Sequence, residues 1–203
     1  PQVQEAFVAI LAEELKLATG CTEPIALAYC AAKMRQTLGA QPERIQAEVS
    51  GNILKNVKSV IVPNTGGLKG TKAAIAAGVV AGDADAELQV ISSVPRERHP
   101  DIAAYTEKTP IEIHCPDTPH LLDIQLTGWV GEHQATVRIA DHHNNIVYIA
   151  KDGQTLMEKP LDVPAHGGEG PDRSLLTLKN ILTFANEVEL SLVEEYLERQ
   201  LQC

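Results

Sequence analysis

The chain has 203 residues, with 17 Lys plus Arg against 27 Asp plus Glu for a formal charge of −10, and only one Trp, four Tyr and two Phe. So acidic a balance leaves no basic face for nucleic acid or an anionic membrane surface, and the length buries a core without help from disulfides or a structural metal. No apolar run reaches the roughly 18 residues of a membrane span, and the start lacks the basic, apolar, small-residue order of a signal peptide, so a cytoplasmic protein that binds neither nucleic acid nor membrane is expected.

Residues 3 to 17 place Val3, Phe7, Ile10, Leu11 and Leu15 at helical spacing, which predicts an amphipathic helix ending near Thr19-Gly20. A second helix starts at Thr22-Glu23-Pro24, where Thr22 can cap, Glu23 complements the dipole and Pro24 suits the first turn. It stops at Gly39, and its first turns are apolar on all sides, so it is buried. Ile45, Ala47 and Val49 alternate with polar residues as a strand does, and Val57 to Val62 reads as a second short β-rich run closed by Pro63. The glycine-rich stretch Asn64 to Gly70 then feeds an Ala-rich helix, Thr71 to Ala81. Strand, loop and helix in that order suit a small anion, but the spacing is neither a P-loop nor a dinucleotide fingerprint.

Leu88 to Ile91 predicts another strand, and Pro95 to Lys108 a loop with a weak helix. From Ile111 the pattern has period two through Ile113, Leu122 to Leu126, Ala135 to Ile139 and Ile146 to Ile149, with turns between, which predicts an antiparallel meander. Glu158 to Arg173 holds three prolines and three glycines and reads as a linker before two helices, about 174–186 and 189–202. The expected fold is α+β: helices on a small mixed sheet with a β-meander, residues 1–160 as one domain and 161–203 as linker and helices.

Cys21, Cys30, Cys115 and Cys203 stand 9, 85 and 88 residues apart, too far for a zinc knuckle or a thioredoxin-like pair. Cys30, inside an apolar run, and Cys115, at a strand end, read as space-filling. Cys21 sits in Gly20-Cys21-Thr22-Glu23-Pro24 at the mouth of the buried helix, where the dipole and unpaired N–H groups would lower its pKa and would equally hold a carboxylate. A capping turn with an incidental Cys fits the same residues. Gly51-Asn52-Ile53-Leu54-Lys55-Asn56 offers small polar groups suited to a zwitterion, or an ordinary Asn-rich connection. Asp141-His142-His143-Asn144-Asn145 reads as a polar hairpin turn or a weak ligand pair. His114, His120, His133 and His166 are isolated and read as surface or satisfied residues.

Taken together, Gly20 to Pro24, Gly51 to Asn56, Val62-Pro63-Asn64-Thr65-Gly66 with Leu68-Lys69-Gly70 and Ala77-Gly78, His143 to Val147, and the helix Asn180 to Val188 resemble the L-cysteine desulfidase family, related to the α chain of iron–sulfur L-serine dehydratases. The family's His-Thr-Asn-Ile-Val has Asn144 at its Thr position here, and family members are about twice as long, the further half being a helical domain with the remaining cluster cysteines. The resemblance implies a pyridoxal-independent lyase that eliminates sulfide from L-cysteine, or water from L-serine, with a four-iron, four-sulfur cluster in the full-length enzyme. It makes Cys21 either the catalytic acid/base or a displaceable cluster ligand. It places Thr22, Glu23, Asn52, Lys55, Asn64, Thr65, Gly66, His143 and Asn145 around a small amino-acid substrate. With a single matched ligand, this chain alone is expected to hold no cluster and to be inactive, its missing partner being the helical half; a homo-oligomer stays open. A non-catalytic amino-acid-binding or sensing module, and an interaction domain using the C-terminal leucine stripe, are the alternatives.

Overall fold

In the computed structural model the described residues are 2–15, 20–161 and 171–202. They form two units. One joins the described parts of 1–17 and 162–203, and the other spans 18–161. The fold is α+β, as its sequence suggests, but the first helix, α1 (Gln2–Glu14), groups with the C-terminal segment and not with the sheet.

In the larger unit, α2 (Thr22–Leu38) is the central element. Residues 24–32 are all buried, because the helix lies between the sheet on one side and α4 (Gly70–Ala81) on the other. Gly39, at φ 85, ends it and returns its N–H to Arg35 O at 2.9 Å. The close approach of α4 depends on Gly78, where a Cβ would lie 2.0 Å from Ala28 O. Cys30 is fully buried, its Sγ 3.4 Å from Val137 O, and burial pushes its thiol far above the ordinary range.

The sheet has the order β2-β1-β3-β4-β5-β6, from β1 (Arg44–Val49), β2 (Ile111–His114), β3 (Asp123–Val130), β4 (His133–Ala140), β5 (Ile146–Lys151) and β6 (Gln154–Glu158). The meander β3–β6 is antiparallel, but β2 pairs with β1 in parallel and so lies outside it. Its inner face buries Ile45, Ala47, Ile124, Leu126, Val137 and Ile139 beneath α2. The opposite face is polar and cross-linked: Thr127 and Thr136 hydroxyls lie 2.9 Å apart, Trp129 Nε1 donates to Gln134 at 2.8 Å, and Gln125 donates to Glu48.

Three expectations are corrected here. The run Val57 to Val62 is no strand: Gly51–Val57 is a helix, α3, which turns Ile53 and Val57 inward one turn apart, and only Ile61 bridges to Lys69. Leu88 to Ile91 is no strand either. A 3₁₀ segment, Ala84–Gln89, runs into a turn that buries the successive residues Val90 and Ile91, which a strand with one covered face could not do. The weak helix within 95–108 is the regular α5 (His99–Lys108), opened by Pro100 in its first turn. β6 escaped the sequence pattern because it is an edge strand with four of five residues exposed.

The smaller unit holds α1 against a 3₁₀ turn (Arg173–Leu175), α6 (Leu178–Glu187), a second 3₁₀ turn (Leu190–Leu192) and α7 (Glu194–Gln202). The Phe7 and Phe184 ring centroids are 5.0 Å apart, and Arg173 Nη2 reaches Glu13 at 3.1 Å and Glu14 at 2.6 Å. Cys203 and Thr19 lie outside the described residues.

Candidate functional site

The register pairs Val49 with Ile124, Glu48 with His114, Asp123 with Ala140, and Ile139 with Ile146. Residues 49–51, 114–115, 121–123 and 140–146 therefore gather at one end of the sheet. α2 points its N-terminus toward this end, since its other terminus lies by Lys151, whose Nζ donates to Leu38 O at 3.2 Å at the far end of β5.

At the head of α2, Cys21 is the N-cap residue, exposed, with φ −62 and ψ 124. Its thiol donates to Glu23 Oε2 at 3.1 Å, and Asn56 Nδ2, from α3, donates to Glu23 Oε1 at 3.3 Å. Burial raises the Glu23 carboxyl, but the bonds from Cys21 and its own N–H, the charge of His143 and the bond from Asn56 outweigh it and hold the group below its ordinary value. For Cys21 the balance is the reverse of the sequence expectation. Burial first, then the hydrogen bond and charge of Glu23, push the thiol up, and the Glu23 N–H pulls it down by less. Burial, with the side chain two residues on folding back, outweighs the pull of the helix start.

The remaining sequence candidates divide. Thr22 is half-buried as the first residue of α2, and His143 is half-buried and electrostatically coupled to Glu23. Asn52 and Lys55 are exposed on α3, Asn52 one turn before Asn56 and so on the same face. The loop after Pro63 comes to the site's edge, where a Cβ on Gly20 would lie 3.1 Å from Pro63 Cγ. Its side chains are taken up by structural bonds. Asn64, at φ 54, donates to Ile91 O and Ser92 O at 3.0 and 3.1 Å. Thr65 is buried and donates to Val62 O at 2.8 Å. Gly66, at φ 74, packs on His99, whose Nδ1 would be 3.1 Å from a Cβ. Asn145 closes its own turn on Ala140 O at 3.0 Å and accepts from Lys159 at 3.5 Å.

Two contacts carried little sequence signal: the bond from Asn56 to Glu23, hinted at only by the place of Asn56 in the polar motif 51–56, and the 2.7 Å contact of His120 with Asp141, whose 21 residues of separation give none. A four-iron, four-sulfur cluster does not fit these residues by themselves. Among the described residues no group of three or more His, Cys, Asp or Glu side chains could hold a metal, and Cys21 is a single thiol bonded to Glu23. Elsewhere, a depression of about 430 Å³ on the polar sheet face is lined by Gln125, Thr136, Arg138, Tyr148, Glu158 and Lys159 among others. Among the described residues no helix is long and apolar enough to cross a membrane.

No family model and no solved structure matches the chain. Curated relatives do: a UPF0597 protein of Desulfitobacterium hafniense is 44% identical over 198 residues, covering 98% of this chain and 46% of the relative. A UPF0597 protein of Treponema denticola is 41% identical over 198 residues, with the same coverage. One from Fusobacterium nucleatum is 36% identical over 195 residues, covering 96% of this chain and 46% of its own length. The chain thus spans about half the length of the curated relatives it matches.

Proposed function

We propose that the chain carries the amino-acid-binding and proton-handling part of a carbon–sulfur lyase that converts L-cysteine and water to sulfide, ammonia and pyruvate, or eliminates water from L-serine, within a protein about twice its length. The observation that carries this reading is the Cys21–Glu23 pair at the head of α2, bonded at 3.1 Å and flanked by Asn56 and His143, on the residues through which the chain resembles the L-cysteine desulfidases.

The chemistry asked of these residues is modest. The Cys21 thiol, kept protonated beside the depressed Glu23 carboxylate, gives its proton to the leaving sulfide or hydroxide as general acid, and the Glu23 carboxylate takes the α-proton of the substrate. Asn56 fixes the carboxylate while this happens. Thr22 and the end of α2 hold the substrate carboxylate, Lys55 and Asn52 on α3 balance its charge, and backbone groups of 64–66 with His143 and Asn145 form the rim. The remaining length of the relatives is the partner, and ligands for a cluster would come from there.

The test is an anaerobic assay of sulfide and pyruvate from L-cysteine, using a protein that joins this chain to the remaining length of its relatives. Turnover should fall by about 100-fold or more in Cys21→Ala, the scale of losing a general acid/base, and the 203-residue chain alone should give none. A second reading, an amino-acid-binding module without catalysis, is favoured by the raised Cys21 thiol, which is less reactive than a lowered one. L-cysteine binding without pyruvate in the longer protein would select it.

A further inference from the structure

The two units treat their apolar residues differently. Among the described residues, eight of the eleven large apolar side chains that stand exposed lie within 176–201, whereas the unit 18–161 exposes Ile61, Leu121 and Leu156 alone. On α6, Leu178, Ile181, Leu182 and Ala185 fall at i, i+3, i+4 and i+7, one stripe of a helix, and all four are exposed. Phe184, off that stripe, is the residue that reaches Phe7 of α1. On α7, Leu197 and Leu201 repeat the i, i+4 spacing and are 53% and 87% exposed. In the same unit a groove of about 600 Å³ is lined by Val8, Ala9 and Ala12 of α1 with Leu192 and Tyr196. An apolar stripe left to water at this density marks a surface that another body covers.

We infer that the stripe of α6, with Leu197 and Leu201 of α7, is the docking face for the remaining length of the chain's longer relatives. The Desulfitobacterium hafniense protein matches 98% of this chain, so the stripe lies within the matched part, and the match leaves about half of that protein over. The rim of the face argues against a second copy as the occupant. Glu187, Glu189, Glu194, Glu195 and Glu198 are exposed, and of the cations among them in sequence, Lys179 and Arg199, the second is held by Glu195. Two copies face to face would set these carboxylates against each other. A partner with aliphatic side chains edged by Lys or Arg satisfies both the stripe and its rim. The inference rests on the reading that the further length of the relatives is this chain's partner, and not on the reaction assigned to the head of α2.

The experiment is hydrogen–deuterium exchange, read by mass spectrometry, on the 203-residue chain and on the protein that joins it to the remaining length of its relatives. Peptides covering 178–187 and 194–201 should exchange about tenfold or more slowly in the joined protein, because docking suppresses the local opening of an exposed helix. Leu178→Glu with Leu182→Glu should restore fast exchange there and leave the melting temperature of the 203-residue chain unchanged, since both side chains face water in it. Equal exchange in the chain and the joined protein overturns the inference, as does slow exchange that survives the double variant. Slowing that disappears on about hundredfold dilution identifies a second copy as the occupant and overturns it too. If the joined protein does not fold, the whole Desulfitobacterium hafniense relative takes its place, with exchange read on the peptides that match 178–187 and 194–201. A protected stripe without lyase turnover would sink the proposed reaction and leave this inference standing; turnover with an unprotected stripe would do the reverse.

Discussion

A thiol and a carboxylate sharing a proton at the head of a helix set each other's chemistry, and here the carboxylate wins. Glu23→Gln removes the negative charge that, after burial, helps lift Cys21, and replaces a charged acceptor with a weaker neutral one, so the thiol pKa falls. Alkylation of Cys21 by iodoacetamide at pH 8, followed on its peptide by mass spectrometry, should be faster in the variant because more of the thiol is ionised; an unchanged or slower rate contradicts the pairing. The same group makes stability depend on acid. The folded Glu23 carboxyl is depressed, so its contribution is present above the unfolded value of about 4.3 and is lost as pH falls through the lower folded value. The melting temperature of wild type should therefore drop below pH 4 more steeply than that of Glu23→Gln. Cys21 itself was legible, since a thiol between Gly20 and Thr22-Glu23-Pro24 marks a helix start. The direction of its shift was not, because the dipole argument ignores the burial of the thiol and a side chain folding back from i+2. His120 and Asp141 meet only because Asp123 and Ala140 pair at the ends of neighbouring strands.

Among the elements, the contact of α2 with α4 has the least slack. Gly78→Ala puts a methyl 2.0 Å from Ala28 O, a backbone atom that moves only with its helix. The gain of about 1 kcal/mol in helix propensity is outweighed, and a net loss of about 2–3 kcal/mol in urea unfolding is expected from overpacking; equal or greater stability would mean the helices can part freely. The strands β1, β3, β4 and β5 could be read from alternation because one face of each is covered. α3 could not, since seven residues with Ile53, Leu54 and Val57 fit a buried strand and a helix equally well. β6 carries no apolar alternation at all, because it borders the sheet with little to cover.

Across the whole molecule, the unit 18–161 holds the sheet, α2 and the site, so the chemistry proposed here depends on that unit. The unit ends at Leu161, and the first helix belongs to the other unit: its apolar stripe is complementary to any apolar face, and only the fold shows Phe7 tilted against Phe184. The C-terminal helices keep Leu178 and Leu201 87% exposed. Leu178→Gln with Leu201→Gln should change unfolding free energy by less than about 0.5 kcal/mol each, as surface substitutions do, and should lower the fluorescence of a hydrophobic dye bound to the chain. A loss several times larger would show that these leucines are buried in solution.

The most direct test of the central claim is an amide and side-chain NMR titration of the 203-residue chain with L-cysteine and with L-serine. The account predicts saturable shifts at Cys21, Thr22, Glu23 and Asn56, absent in Cys21→Ala with Glu23→Gln. Shifts confined to Arg138, Tyr148 and Lys159 on the polar sheet face, or none at saturating amino acid, would contradict it.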